Sequence, residues 1–528
     1  MFRFLFALFL SFWLIDAMAQ ELSLAPAPGP YPVGLHVRQH YDQTRVYRHV
    51  RDNVTAQMTD TERARPVQAL VWYPAAAQGK PVRYRDYVST QASEERFDTL
   101  DQARRDTDAT IAERTAGPRG AVVKRALEQS MQARRDADAL PGKFPVLVYA
   151  PSYSASAMEN ADLCEYLASR GYIVLASASL GTRTRGMTSD LEGVESQAAD
   201  IGFLIGQAAT MKQADMAKIG VIGFSWGGLA NVLAAARDDR IRALVSIDGS
   251  VRAYPKFVNG GAKAAHYVTP ERLAIPMLYV ARRNSSLEEI NNSGTDTGFN
   301  LMNQMRYADR YIATMQYMNH MDFSSWALRI NSEAAFEDHT REEAAQAYRW
   351  TAQYIAQFLD AHLKNDKAAI DFLNRKPEQN GVPRRMMSLV SHRAKASAPT
   401  QDTFLSELSG RGFGQIVEIY DALHAQNAAF SIDSIEIDHW GTQLLRAGRA
   451  QDAVDVFGLG VHIYPDGIDF LYDDLAEAYE AAGNTDQAIA NYRRALVINP
   501  NRTHAKTRLE ALGAAFSATT ASSAPARP

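Results

Sequence analysis

Lys218-Ile219-Gly220-Val221-Ile222-Gly223-Phe224-Ser225-Trp226-Gly227-Gly228 is the stretch whose reading decides the fold. Its first five residues read as a short buried strand, and Leu229 to Arg237, rich in Ala and Leu, reads as a helix. Between them Gly223 to Gly227 matches the pattern G-x-S-x-G, which places a serine at the apex of a sharp strand-to-helix turn. The glycines answer two needs of such a turn: a strained apex backbone, and a helix packed close behind it. Ser225 is therefore the candidate nucleophile.

Reading outward, Val33 to Val37 and Val67 to Tyr73 precede the pattern as strands. Phe144 to Ala150, Tyr172 to Ala176, Ala243 to Ile247, Pro276 to Val280 and Tyr311 to Met315 are further apolar runs, with helical patterns over Asn160 to Arg170, Glu195 to Met211 and Glu342 to Leu363. Continuously apolar strands separated by helices predict an α/β fold with a mostly parallel sheet covered on both faces. Chemistry on such a sheet sits at the carboxyl ends of its strands.

A serine hydroxyl becomes a nucleophile only when a base takes its proton, and a carboxylate must orient that base. In sheets with this turn the acid follows the serine and the histidine comes last. His320 lies just beyond the Tyr311–Met315 strand and is the expected base; His266 and His339 are the other downstream candidates in the domain. Asp248 ends the strand after the turn and is the expected acid, with Glu288 and Glu289, beyond the following strand, as rivals. Arg282-Arg283-Asn284 offers no carboxylate directly after that strand. An oxyanion needs two backbone N–H donors. Trp226 should supply one, and Ser152 or Tyr153, after the Phe144–Ala150 strand, the other; Tyr153 is preferred. Asp200 reads as support for a neighbouring loop, and Arg183 and Arg185 as a solvated loop that could meet an anionic substrate. Neither a metal-ligand spacing nor a phosphate-binding glycine loop is visible, so no cofactor or metal is expected.

The chain has 528 residues, 46% of them hydrophobic and 22% charged, which predicts two or three globular domains rather than a disordered chain. A net charge of −4 with no basic face argues against nucleic acid as a partner. Residues 1–19 read as a signal peptide: Arg3, an apolar run from Phe4 to Ile15, then Ala17-Met18-Ala19. Export to the periplasm or medium is the expectation, with no transmembrane segment after cleavage. Cys164 is the single cysteine, so no internal disulfide forms, and its apolar helical setting predicts a buried, inert thiol. Residues 86–140 hold nine basic and eleven acidic side chains and many alanines, broken at Gly117-Pro118. This predicts a helical hairpin inserted in a domain spanning 20–365, either a lid over the site or a hairpin packed elsewhere. Residues 366–402 read as a connector.

From there the period changes. Gly448, Ala453, Phe457 and Pro465 recur 35 residues later as Gly483, Ala488, Tyr492 and Pro500, the tetratricopeptide pattern. An all-α repeat domain over 403–515 follows, then an Ala/Ser/Thr/Pro tail at 516–528 expected to be disordered. The repeats hold 16 acidic against 8 basic residues, which suits a basic protein or peptide partner, a second copy of the chain, or solubility alone.

Gly223 to Gly228, Asp248 at the end of the next strand and His320-Met321-Asp322-Phe323 resemble the platelet-activating-factor acetylhydrolase branch of the alpha/beta hydrolases. Phe144 to Tyr153 and Leu163 to Tyr172 are similar to the wider dienelactone-hydrolase-like group. The resemblance covers roughly residues 33–365 and implies Ser225, Asp248 and His320 as a triad, with ester hydrolysis as the activity. The chain departs from the group at Pro151-Ser152, where many relatives have His-Gly, and in having serine where some members use cysteine. The expectation is an exported serine hydrolase cleaving a small-molecule carboxylic ester through an acyl-enzyme. The alternatives are a serine peptidase using the same triad and a catalytically idle scaffold whose repeats bind a protein.

Overall fold

The computed structural model describes residues 24–47, 63–95, 97, 120–258, 265–283, 300–336 and 338–514. The signal-peptide residues, the Gly117-Pro118 break, Glu288, Glu289 and the 516–528 tail lie outside them. The chain divides into two compact units, Met1–Ala396 and Ser397–Pro528.

The first unit is built on one eleven-stranded sheet. Its strands are β1 (Val33–Tyr47), β2 (Arg63–Pro74), β3 (Lys80–Arg83), β4 (Ser130–Arg135), β5 (Phe144–Ala150), β6 (Ile173–Ser177), β7 (Ala214–Phe224), β8 (Ile241–Ile247), β9 (Met277–Arg282), β10 (Arg310–Met315) and β11 (Met387–His392). The order is β11-β10-β9-β8-β7-β5-β6-β2-β1-β4-β3. Pairing is parallel from β6 through β5, β7, β8 and β9 to β10, and antiparallel where β2 meets β6 and where β11 meets β10.

The central strands are buried on both sides, which explains their unbroken apolar runs. Successive residues alternate between two cores. Leu147, Tyr149, Ile222, Phe224, Val245 and Ile247 face one, which is covered by helices α1 (Ala161–Ser169) and α4 (Arg341–Leu363). Val146, Val148, Val221 and Leu244 face the other, under α2 (Leu191–Ala208) and α3 (Trp226–Ala235). Leu229, Val232 and Leu233 of α3 are wholly buried. Each such side chain contributes about 1.5–3 kcal/mol, so this short helix is held mainly by packing on the sheet. Cys164 is buried in α1, where burial pushes its thiol pKa up.

Two expectations are corrected. Residues 130–135 form β4, not a helix, pairing parallel with β1 and antiparallel with β3. The N–H groups of Gln132 and Ala133 are taken by the buried carboxylate of Glu165, at 2.8 and 3.1 Å. A side chain 32 and 33 residues away thus satisfies strand donors that local composition assigned to a solvated helix. Residues 366–402 are not a plain connector either. They contain a helix, Lys367–Asn374, and strand β11, which lies in register with all of β10. The first unit accordingly runs to Ala396. An edge strand with one solvated face carries polar residues, so Met387-Ser388-Leu389-Val390-Ser391-His392 lacks the apolar signal of the inner strands.

The elements of the second unit among the described residues are helices: Gln401–Arg411, Ile416–Gln426, Ser434–Arg446, Ala450–Ile463, Asp469–Ala481, Thr485–Ile498 and Thr503–Ala511. Gly448 and Gly483, 35 residues apart, hold positive φ of 72° and 80° just past a helix end, the position that favours glycine. Phe457 and Tyr492, also 35 apart, are fully buried. Gly441 gives Phe457 its space, because a Cβ there would meet the ring at 2.4 Å.

Candidate active site

The turn between β7 and α3 has the strain its sequence implies. Ser225 sits at φ 53° and ψ −116°, a region costly for any residue with a side chain. Its N–H is held by the carbonyl of Ile247 at 3.0 Å, and its carbonyl accepts from Gly228 and Ser250 at 3.0 and 2.7 Å. A Cβ on Gly227 would lie 2.1 Å from the Ala150 carbonyl oxygen, so only glycine lets α3 start against the end of β5. The hydroxyl is thus presented at the carboxyl edge of the sheet, where α3 also directs its first N–H groups.

Two loops bring partners to it. His320 opens a short 3-10 turn after β10, half-buried and facing both ways: its Nε2 lies 2.8 Å from Ser225 Oγ, and its Nδ1 lies 2.5 Å from Asp248 Oδ2. The Phe224 ring packs against the imidazole at 5.1 Å between centroids. The turn is fixed from behind: Asp322 accepts from Asn319 N at 2.7 Å and contacts buried His339 Nε2 at 2.9 Å. His339 is therefore a brace for the His320 turn, and His266 is exposed on the surface.

Asp248 follows β8 and is buried, at a positive φ of 39°. Its N–H donates to Val280 O at 2.6 Å and its Oδ1 accepts from Arg282 N at 3.3 Å. The end of β9 thus supplies an N–H that orients the Asp248 carboxylate. The rivals Glu288 and Glu289 lie outside the described residues.

Ser152 and Tyr153 part company in the structure. The Ser152 N–H is spent on the Glu159 carboxylate at 2.8 Å. Tyr153 is half exposed, with its ring edge-on to Trp226 at 5.5 Å and its hydroxyl donating to Met187 O. Trp226 is the first residue of α3, a position whose N–H has no partner within the helix. Of the remaining sequence candidates, Arg185 is paired with buried Glu94 at 2.7 Å and Arg183 is exposed. Asp200 is buried and takes Arg65 through both carboxylate oxygens; Arg65 in turn donates to the carbonyls of Leu180 and Gly181, tying down the loop after β6.

Residue-by-residue reading missed Glu159 and the pocket beside the imidazole. That pocket has a volume of about 200 Å³ and is lined by Asp248, Ser250, Arg252, Tyr279, Arg282 and His320, among others.

An α/β sheet with a strained serine turn, a histidine bridging that serine to a carboxylate, and helices on both faces defines a serine-hydrolase-type fold. Residues 138–384 match the family model of the X-Pro dipeptidyl-peptidases (S15 family), and residues 470–502 match that of the tetratricopeptide repeat. Among solved structures the chain is similar to a ferulic acid esterase from Streptomyces cinnamoneus, at 19% identity and a TM-score of 0.47, over 70% of this chain and 98% of that one. No curated protein matches it.

Proposed function

We propose that the protein is an exported serine hydrolase that cleaves carboxylic esters through an acyl-enzyme. The observation that carries this reading is the placement of His320, within hydrogen-bond reach of both Ser225 Oγ and Asp248 Oδ2. In this mechanism His320 Nε2 removes the Ser225 proton as Oγ attacks the ester carbonyl. Asp248 keeps the other imidazole proton on Nδ1 and stabilises the imidazolium that forms. The N–H groups of Trp226 and Tyr153 hold the oxyanion. His320 then protonates the departing alcohol, and water, activated by the same imidazole, releases the acid and restores Ser225.

The family match favours a second reading, a serine peptidase that removes dipeptides. Such a reaction has to hold a free, protonated N-terminus near the site. Among the described residues, the pocket beside His320 is lined by Arg252 and Arg282 instead, and by one carboxylate, Asp248, which is committed to the imidazole and to Arg282. This supports the ester over the peptide. The acid after β8 also supports placing the chain near the platelet-activating-factor acetylhydrolase and dienelactone-hydrolase-like group. Export rests on the Met1–Ala19 sequence, and the repeats are assigned to a protein or peptide partner.

Purified enzyme is tested with p-nitrophenyl esters of graded acyl length and with X-Pro p-nitroanilides. Faster turnover of the esters is expected. Preferential release of p-nitroaniline assigns the peptidase, and no turnover of either by folded protein supports the idle scaffold.

A further inference from the structure

Behind the two loops that meet at Ser225 lies a buried polar link with no role in the chemistry just described. Glu159, one residue before the N-cap of α1, is buried; the His320 imidazole acts on its charge, and among the described residues it is paired with no Lys or Arg. Its carboxylate accepts from Ser152 N at 2.8 Å, from Ser152 Oγ, and from Tyr149 OH at 3.2 Å. Its own carbonyl accepts from Trp326 N at 3.1 Å and Ser325 Oγ at 3.2 Å, directly after the His320 turn. Neighbouring Asn160 is wholly buried and repeats the pattern: Nδ2 donates to Tyr149 OH at 2.6 Å, while Oδ1 accepts from Ser325 N at 2.7 Å and Tyr348 OH at 2.8 Å.

A buried carboxylate is costly, and burial pushes the Glu159 pKa up against the hydrogen bonds from Ser152 and Tyr149 and the charge of His320. Apolar packing would be the cheaper way to join α1 to its neighbours. What the carboxylate supplies is direction. By drawing Ser152 N inward it fixes the turn Ser152–Ala155, in which Ala155 N bonds Ser152 O at 3.1 Å and Ser154 takes φ 54°. The next N–H, that of Tyr153, is then the one left for an oxyanion. The backbone of the same residue anchors the segment that follows His320.

We infer that Glu159 is a positioning residue: it sets the oxyanion-loop N–H of Tyr153 and holds that loop in register with the His320 turn, so that donor and base face one reacting carbon. This rests on the serine-hydrolase reading. A loop displaced by about 1 Å costs up to about a hundredfold in rate, without weakening ground-state binding to match.

The test uses the full-length enzyme and Glu159→Gln, with p-nitrophenyl acetate as substrate and phenylboronic acid as a tetrahedral mimic. Wild type must turn over the ester and Ser225→Ala must not; failure at that step removes the serine-hydrolase reading itself. Given that step, Glu159→Gln is expected to lower kcat by about 10–100-fold and to weaken boronate inhibition in parallel, with KM within about twofold. Folded Glu159→Gln with wild-type kcat and boronate affinity overturns the proposal, as does a loss of thermal stability unaccompanied by either change. Should Glu159→Gln not fold, Ser152→Ala decides. It removes one donor at the loop's half-buried edge and is expected to lower kcat and boronate affinity together by about threefold or more. No change in either overturns the proposal.

Discussion

Asp248→Asn removes the charge that faces His320, and with it the 3.7 Å ion pair to Arg282 Nε, while keeping the residue's backbone bonds. Asparagine has the carboxylate's shape and is among the few non-glycine residues at ease with a positive φ, here 39°. The backbone bond from Asp248 N to Val280 O survives. What changes is the atom 2.5 Å from His320 Nδ1 and the charge it carries. If the amide NH2 faces Nδ1, the imidazole proton moves to Nε2, which can no longer accept from Ser225. If the amide oxygen faces Nδ1, the NH2 is turned against Arg282 N–H, which now bonds Oδ1 at 3.3 Å, and the imidazolium loses its counter-charge. Either outcome should cost about 10³–10⁴ in kcat, about 4–5.5 kcal/mol of transition-state stabilisation. Thermal stability should stay close to wild type, because the shape and the backbone bonds persist. The assay is kcat and KM for p-nitrophenyl acetate from pH 6 to 9, normalised by active-site titration, with Glu288→Gln and Glu289→Gln in parallel. Retention by Asp248→Asn of more than about a tenth of wild-type kcat, or a larger loss in either glutamate variant, would refute the assignment.

Two further substitutions probe the framework. Gly227→Ala puts a Cβ 2.1 Å from the Ala150 carbonyl, backbone against backbone, so the turn and the end of β5 must separate. A cost of about 3 kcal/mol or more, a Tm lower by about 6 °C or more, is expected in differential scanning calorimetry, and an unchanged Tm would contradict it. His362, in the last turn of α4, packs on Tyr311 and Phe358, and burial pushes its pKa down to about 4, with Asp309 opposing and Arg393 assisting. Because the folded pKa is below the unfolded one, the neutral ring's contribution is complete above about pH 6.5 and lost as pH falls towards 4. His362→Leu has no proton to gain, so its stability relative to wild type should rise by about 2–3 kcal/mol between pH 7 and 4; a pH-independent difference would contradict the cause.

The parts of this fold that sequence made legible are those in which a local pattern answers a local need. The inner strands are apolar without interruption because both faces are covered, and the elbow shows its glycines because two backbones meet there. Ser225, Asp248 and His320 each sit at a strand's carboxyl end, so strand order alone suggested bringing them together. What stayed hidden depends on distant partners. β4 is held by pairing with β1 and β3 and by Glu165, which accepts from two of its N–H groups. β11 is an edge strand whose polarity resembles a linker. Glu159 reads in sequence as an ordinary acidic residue ahead of a helix. Its burial, and its grip on Ser152, exist only once α1 is folded onto β5 and the segment after His320 closes over it.

The central claim is that Ser225 is a nucleophile activated by His320. The direct measurement is intact-protein and peptide mass spectrometry after reaction with a fluorophosphonate. A single adduct on the peptide bearing Ser225, lost in Ser225→Ala and strongly slowed in His320→Ala, is the predicted result. Folded wild-type protein that takes up no phosphonate, or that takes it up equally in Ser225→Ala, would contradict the account.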